Sequence, residues 1–141
     1  MNNKKNLNLM NFISVIPARS GSKGIKNKNI IKIGNKPLVQ HTFEAAFKSK
    51  IQKNFVLTDN IKIKKIAKKF KINTQYKRPK NLSKSTTSLV ETLSHFNKWL
   101  EKKKIEYDFM VILQPTSPLR DYKDINNFLN IIKKSKNLSL F

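Results

Sequence analysis

Residues 12–29 read FISVIPARSGSKGIKNKN, and the rest of the chain is organised around them. The run Phe12-Ile13-Ser14-Val15-Ile16 is apolar and β-branched, as in a short buried strand, and Pro17, which has no N–H to give a ladder, bounds it. A loop follows with two of the chain's three glycines, Gly21 and Gly24, interleaved with Arg19, Ser20, Ser22, Lys23, Lys26 and Lys28. A strand opening into a small, basic loop is how an α/β chain holds phosphate. Glycine lets backbone N–H groups approach oxyanions, hydroxyls add donors, and Arg and Lys neutralise charge. The Walker loop is excluded, because no glycine stands at the required spacing before a Gly-Lys-Ser/Thr. The dinucleotide fingerprint is excluded too, because its three glycines within six positions are missing. Composition alone leaves a phosphate loop and a plain basic surface turn both open.

Downstream, strand and helix patterns alternate. Gly34-Asn35 is a turn pair, and a helix is expected from Lys36-Pro37, with Val39, Phe43, Ala46 and Phe47 on its packed face. Residues 55–58 read as a second buried strand. Asp59 or Asn60 can cap the next helix, which is built on Ile63, Ile66, Ala67 and Phe70. Residues 73–76 read as a weaker third strand, and residues 77–87 (KRPKNLSKSTT) as a loop. Ser85 or Thr86 can cap a helix carrying Leu89, Leu93, Phe96 and Leu100. Residues 108–113 read as a fourth strand and 114–120 as a loop. Asp121 then opens a helix with Ile125, Phe128, Leu129 and Ile132 inward, and residues 138–141 start a fifth strand. The alternation predicts an α/β fold, a mostly parallel sheet covered on both faces, with ligands beyond the carboxyl ends of its strands. Residues 18–29, 77–87 and 114–120 all follow strands and can converge there. Residues 12–141 read as one domain behind a basic, disordered stretch, 1–11.

With 141 residues the chain is long enough to bury roughly two-thirds of its unfolded surface. It has no cysteine, which excludes disulfides and thiolate metal sites. No apolar run reaches the ~20 residues of a membrane span, and the N-terminus is too polar for a signal peptide, so the cytoplasm is expected. The net charge of +22 invites a nucleic-acid reading. Against it, only Arg19, Arg78 and Arg120 are arginine; the remaining basic residues are lysine beside abundant Asn and Ile, the mark of AT-biased codons. Readers of nucleic acid spend arginine on bidentate contacts. The charge should still attract anionic nucleotides and acidic sugars.

IPARSGSKG followed by NKN closely resembles the signature of the CMP-sugar synthetases, cytidylyltransferases that activate sialic acid and related nine-carbon acids. Residues 113–120, LQPTSPLR, resemble the same family's second signature. The resemblance implies a three-layer α/β/α Rossmann-like nucleotidyltransferase fold. It also implies transfer of CMP from CTP to the anomeric hydroxyl of a nonulosonic acid of sialic or legionaminic type, releasing pyrophosphate for surface glycan synthesis. On this resemblance Lys28 and Arg19 are the expected catalytic residues, lying against the triphosphate with Ser22 and Lys23. Asn29 is expected to read the base, its amide offering both a donor and an acceptor, and Arg78 to hold the nucleotide. Gln114 and Thr116 are expected to face the sugar acid. Ser117 and Arg120 are as readily turn-formers as ligand contacts. His41, His95 and Trp99 read as ordinary helix residues, and Asp59 as a cap.

Relatives run well beyond 141 residues. The resemblance places a pair of Mg²⁺-binding aspartates, and a segment exchanged between subunits of a homodimer, after residue 141; no metal ligand is assigned before it. The departure at Ser85, where relatives commonly carry an acidic residue, touches only the pocket wall. The alternatives are an inactive, truncated nucleotide-binding remnant of the family and a lysine-rich nucleic-acid-binding module.

Overall fold

The first strand, β1 (Phe12–Pro17), lies at the centre of a three-stranded parallel sheet in the computed structural model, which describes residues 10–21, 24–84 and 86–135. On one side it pairs with β4 (Lys53–Leu57), from Ile13 opposite Lys53 to Pro17 opposite Leu57. On the other it pairs with β5 (Phe109–Ile112), from Phe12 opposite Phe109 to Val15 opposite Ile112. Pro17 is the last residue of β1 rather than its boundary, a position where a missing N–H is tolerated. Between β1 and β4 a small antiparallel hairpin, β2 (Lys32–Ile33) and β3 (Lys36–Pro37), turns at Gly34-Asn35, with Gly34 at φ +67°. The helices are α1 (Leu38–Lys48), α2 (Ile61–Lys69), α3 (Leu89–Lys102) and α4 (Tyr122–Lys134).

Side-chain alternation along the strands divides the core. Ile16, Val56, Val111 and Leu113 pack with Val39, Phe43 and Ala46 of α1, Ile63 and Ala67 of α2, and Ile125 and Leu129 of α4. Ile13, Val15, Phe55 and Leu57 point the other way, onto Tyr76 and onto Phe96 and Leu100 of α3. The sheet is therefore covered on both faces, the three-layer arrangement that the alternation of elements requires. One polar pair sits inside: the buried Ser14 hydroxyl donates to Asn54 Oδ1 (2.5 Å), and Asn54 Nδ2 donates to Ile51 O (3.0 Å).

Several expectations need correcting. Residues 73–76 make one parallel bridge, Phe55 to Asn73, instead of a strand. The chain then leaves the sheet to bury Tyr76 among Phe96 and Trp99. Asn60 is the cap of α2, accepting from Lys62 N and Ile63 N, and Asp59 is not. Thr86 does not cap α3. Ser88 does, in a reciprocal box with Glu91 that satisfies two orphan donors at once. Phe47 and Phe128, expected inward, are 47% and 49% exposed, because each lies one step round its helix from the buried stripe. Asp121 opens α4 as expected, boxed with Asp124. Asn11 exchanges hydrogen bonds with Asp108 and Phe109, tying the start of β1 to β5. The expected fifth strand, Ser85, and residues 1–9 lie outside the described residues.

Candidate functional site

Parallel strands all end on the same side, and the loops that leave β1 and β5 meet there with the segment between residues 77 and 89. They enclose a cleft of about 300 Å³. The first loop contributes Pro17, Arg19, Gly21, Lys28 and Asn29; the middle segment contributes Arg78, Thr87 and Leu89; the last loop contributes Gln114, Pro115 and Thr116. Of the residues singled out from the sequence, Arg19, Lys28, Asn29, Arg78, Gln114 and Thr116 thus line one cavity. Ser22 and Lys23 lie outside the described residues.

The first loop is held at several points. Gly24 takes φ +93°, a conformation other residues adopt only with strain. Asn27 at φ +55° opens a 3-10 turn, Lys28–Ile30, which sets half-buried Lys28 on the cleft wall. Asn29 Nδ2 donates to Arg19 O (3.1 Å), closing the loop across its base. Ser20 is clamped to Asp59, just past the end of β4: its N–H donates to Asp59 Oδ1 (2.8 Å) and its hydroxyl to Asp59 Oδ2 (2.6 Å). Partial burial works against the Asp59 charge, but the Ser20 bonds and the nearby Arg78 guanidinium outweigh it, leaving the carboxyl below its ordinary value.

Arg78 is a strut as well as part of the wall. It is only 8% exposed, and its guanidinium donates to Leu82 O (2.9 Å), Thr92 Oγ1 (3.2 Å) and Leu57 O (3.5 Å). These bonds join β4, α3 and the 3-10 turn Lys80–Leu82 through one planar group, which a lysine could not do. Burial lowers its pKa, and Asp59 partly restores it. Arg19 differs: its Nη1 is buried and has no hydrogen-bond partner among the described residues. A buried guanidinium donor left unmatched beside a cleft is where an anionic oxygen would be accommodated.

Gln114 and Thr116 are exposed at the mouth, on a turn closed by Ser117 N to Gln114 O (3.3 Å) and by Arg120 Nη2 to Gln114 O (3.0 Å). Arg120 is therefore a turn-former here. His41 bonds Ile33 O and His95 bonds the Tyr76 hydroxyl, both structural contacts. Among the described residues no three His, Asp or Glu side chains gather as a metal-ligand group, and Asp59 is already committed to Ser20. Neither the Ser20–Asp59 clamp nor Thr92 beneath Arg78 was legible along the chain, since both pairings depend on which strand and helix become neighbours. A second recess, about 360 Å³, lies at the opposite end of the sheet around Phe12 and Lys53, away from these loops.

With this geometry in view, comparison with known proteins is informative. A family model described as Cytidylyltransferase matches residues 13–140. The chain is 31% identical over 125 residues to CMP-N,N'-diacetyllegionaminic acid synthase of Legionella pneumophila, covering 88% of this chain and 54% of the relative. It is 38% identical over 111 residues to N-acylneuraminate cytidylyltransferase of Escherichia coli, covering 78% of this chain and 25% of the relative. The chain thus spans from a quarter to about half the length of these curated relatives. A solved CMP:2-keto-3-deoxy-manno-octonic acid synthetase complexed with CTP superposes with TM-score 0.70 at 24% identity, over 91% of this chain and 49% of that one. At that identity the likeness speaks for the Rossmann-like fold alone.

Proposed function

This chain belongs to the cytidylyltransferase family, and from that premise we propose that it transfers CMP from CTP to the anomeric hydroxyl of a nonulosonic acid. The observation that carries the reading is the convergence of Arg19, Lys28 and Arg78 on one cleft at the carboxyl ends of the strands, with Arg19 Nη1 buried and unmatched among the described residues. Three fixed cations in a recess suit a triphosphate, whose own negative charge otherwise repels a nucleophile. In the reaction the sugar hydroxyl oxygen bonds to the α-phosphorus as the bond to the pyrophosphate oxygen breaks, and the hydroxyl proton passes to water. Lys28 and Arg19 stabilise the charge that develops on the phosphoryl oxygens. Arg78 braces the nucleotide side of the cleft, Asn29 faces the base, and Gln114 and Thr116 at the mouth meet the acid. Ser22 and Lys23 complete the phosphate loop in this reading.

Magnesium bound to the triphosphate would supply further charge neutralisation. The reading also includes a homodimer, a cytoplasmic location for the enzyme, and a CMP-sugar product destined for surface glycans. Among the described residues no helix is long and apolar enough to cross a membrane. The relatives' printed names include legionaminic, acylneuraminic and pseudaminic acids, so those acids are the ones to offer. The test is pyrophosphate release from CTP and magnesium with each acid in turn, beside calorimetry with CTP alone. Acid-dependent release is expected. CTP binding without release under any acid would refute the transferase, and no CTP binding at all would refute the nucleotide site.

A further inference from the structure

Asp59 carries no role in the sequence reading beyond that of a cap, and α2 is capped by its neighbour Asn60 instead. Its carboxylate accepts from Ser20 through both oxygens. Ser20 follows Arg19, whose Nη1 is buried without a partner among the described residues in the cleft wall. The backbone at Ser20 therefore fixes where the Arg19 side chain departs, and Asp59 fixes the backbone at Ser20. The same carboxylate lies near the Arg78 guanidinium, and Arg19 Nη1 is left without an acceptor among the described residues. A carboxylate that bonded Arg19 directly would compete with an incoming anion. One that acts through the adjacent serine orients the guanidinium without occupying it.

We propose that Asp59 is a positioning residue for anion binding: it clamps Ser20 to the end of the second parallel strand and so presents Arg19 to the phosphates of a nucleotide. This rests on the nucleotide reading above for its ligand, and on the hydrogen bonds alone for the clamp. Thr58 strengthens the anchor, since its buried hydroxyl accepts from Asn60 N (3.1 Å), fixing the turn on which Asp59 stands.

The test uses the full chain and the variants Asp59→Ala, Asp59→Asn, Ser20→Ala and the Asp59→Ala/Ser20→Ala pair. Two quantities are measured: affinity for CTP with magnesium by calorimetry, and hydrogen exchange at the Ser20 amide without ligand. Asp59→Ala should weaken CTP binding by about tenfold, the worth of one charge-assisted hydrogen bond, and Ser20→Ala by roughly threefold. The pair should bind no more weakly than Asp59→Ala alone, because both changes remove the same contact. Asp59→Asn should recover part of the affinity, since its amide oxygen can still accept from Ser20 N. Faster Ser20 exchange is expected in Asp59→Ala, with the thermal midpoint as the control for general loss of structure. Wild-type affinity in Asp59→Ala, or additive losses in the pair, would overturn the proposal. Should the unmodified chain not bind CTP, the nucleotide reading falls, and the clamp is judged by exchange: unchanged Ser20 protection in Asp59→Ala refutes it, faster exchange upholds it.

Discussion

Arg19 and Arg78 are close enough for their charges to interact, yet they are held in opposite ways. Arg78 spends its donors on Leu82, Thr92 and Leu57, whereas Arg19 keeps one buried donor unmatched among the described residues. The difference separates a residue that shapes the recess from one available to an anion. Lys28 belongs with Arg19, half-buried on the wall and placed by the turn that Asn27 opens. In the transfer assay Lys28→Ala should lower kcat by about 10²–10³, as removal of other pre-placed charge stabilisers does. The thermal midpoint should hardly move, because the side chain is not part of either core cluster. Equal kcat in the variant would remove Lys28 from the chemistry.

At the scale of elements, α3 shows how a helix is aimed at the sheet. The Ser88–Glu91 box fixes where it begins, next to Thr87 and Leu89 on the cleft wall. Further along, Phe96 and Leu100 drive into the second core. Ser88→Ala should cost about 1 kcal/mol in chemical denaturation, the usual worth of an N-cap. A loss near zero would mean that packing of Phe96 and Leu100 alone sets the start of the helix. Tyr76 packs under the same helix, its hydroxyl 2.8 Å from His95 Nδ1. Burial pushes its pKa from 10.0 up to about 12, with Arg78 pulling weakly the other way. A raised folded value means that the neutral phenol is favoured in the fold. Its contribution is therefore complete below pH 10.0 and is lost as pH rises through about 12. Stability should fall across that window, and the fall should shrink in Tyr76→Phe; an equal fall in the variant would point to other groups.

For the whole molecule, the net charge of +22 is spread widely over the surface. On α2, Lys62, Lys65, Lys68 and Lys69 are exposed while Ile63 and Ala67 are buried, so this face is solvated lysine over an ordinary core. Such a surface binds polyanions weakly and loses them steeply with salt. Random-sequence DNA should therefore bind only at low ionic strength and equally well in Lys28→Ala, whereas CTP binding should persist at higher salt and depend on Lys28. Sequence-independent DNA binding that survives physiological salt would favour a nucleic-acid role instead.

The opening strand, the basic glycine loop, the alternation of elements and the convergence of three loops were all legible in the chain, because each depends on local residue type and period, although only two of those loops leave strands. So was the family, since IPARSGSKG and LQPTSPLR each lie within a single loop and the strand before it. The cap of α3 was expected too early, at Ser85 or Thr86, because several hydroxyl residues precede Leu89 and the box with Glu91 selects Ser88. Phe47 and Phe128 were misplaced because a helical stripe has edges that spacing alone does not locate. What only the tertiary structure decided is what meets across the sheet: Ser20 on Asp59, Arg78 on Thr92 and Leu57, and Tyr76 in the core rather than in a strand. Those contacts join residues far apart in the chain, and their partners exist only once β1, β4 and α3 have packed together. Sequence chose the chemical groups; packing decided which of them were already engaged and which were left to meet a ligand.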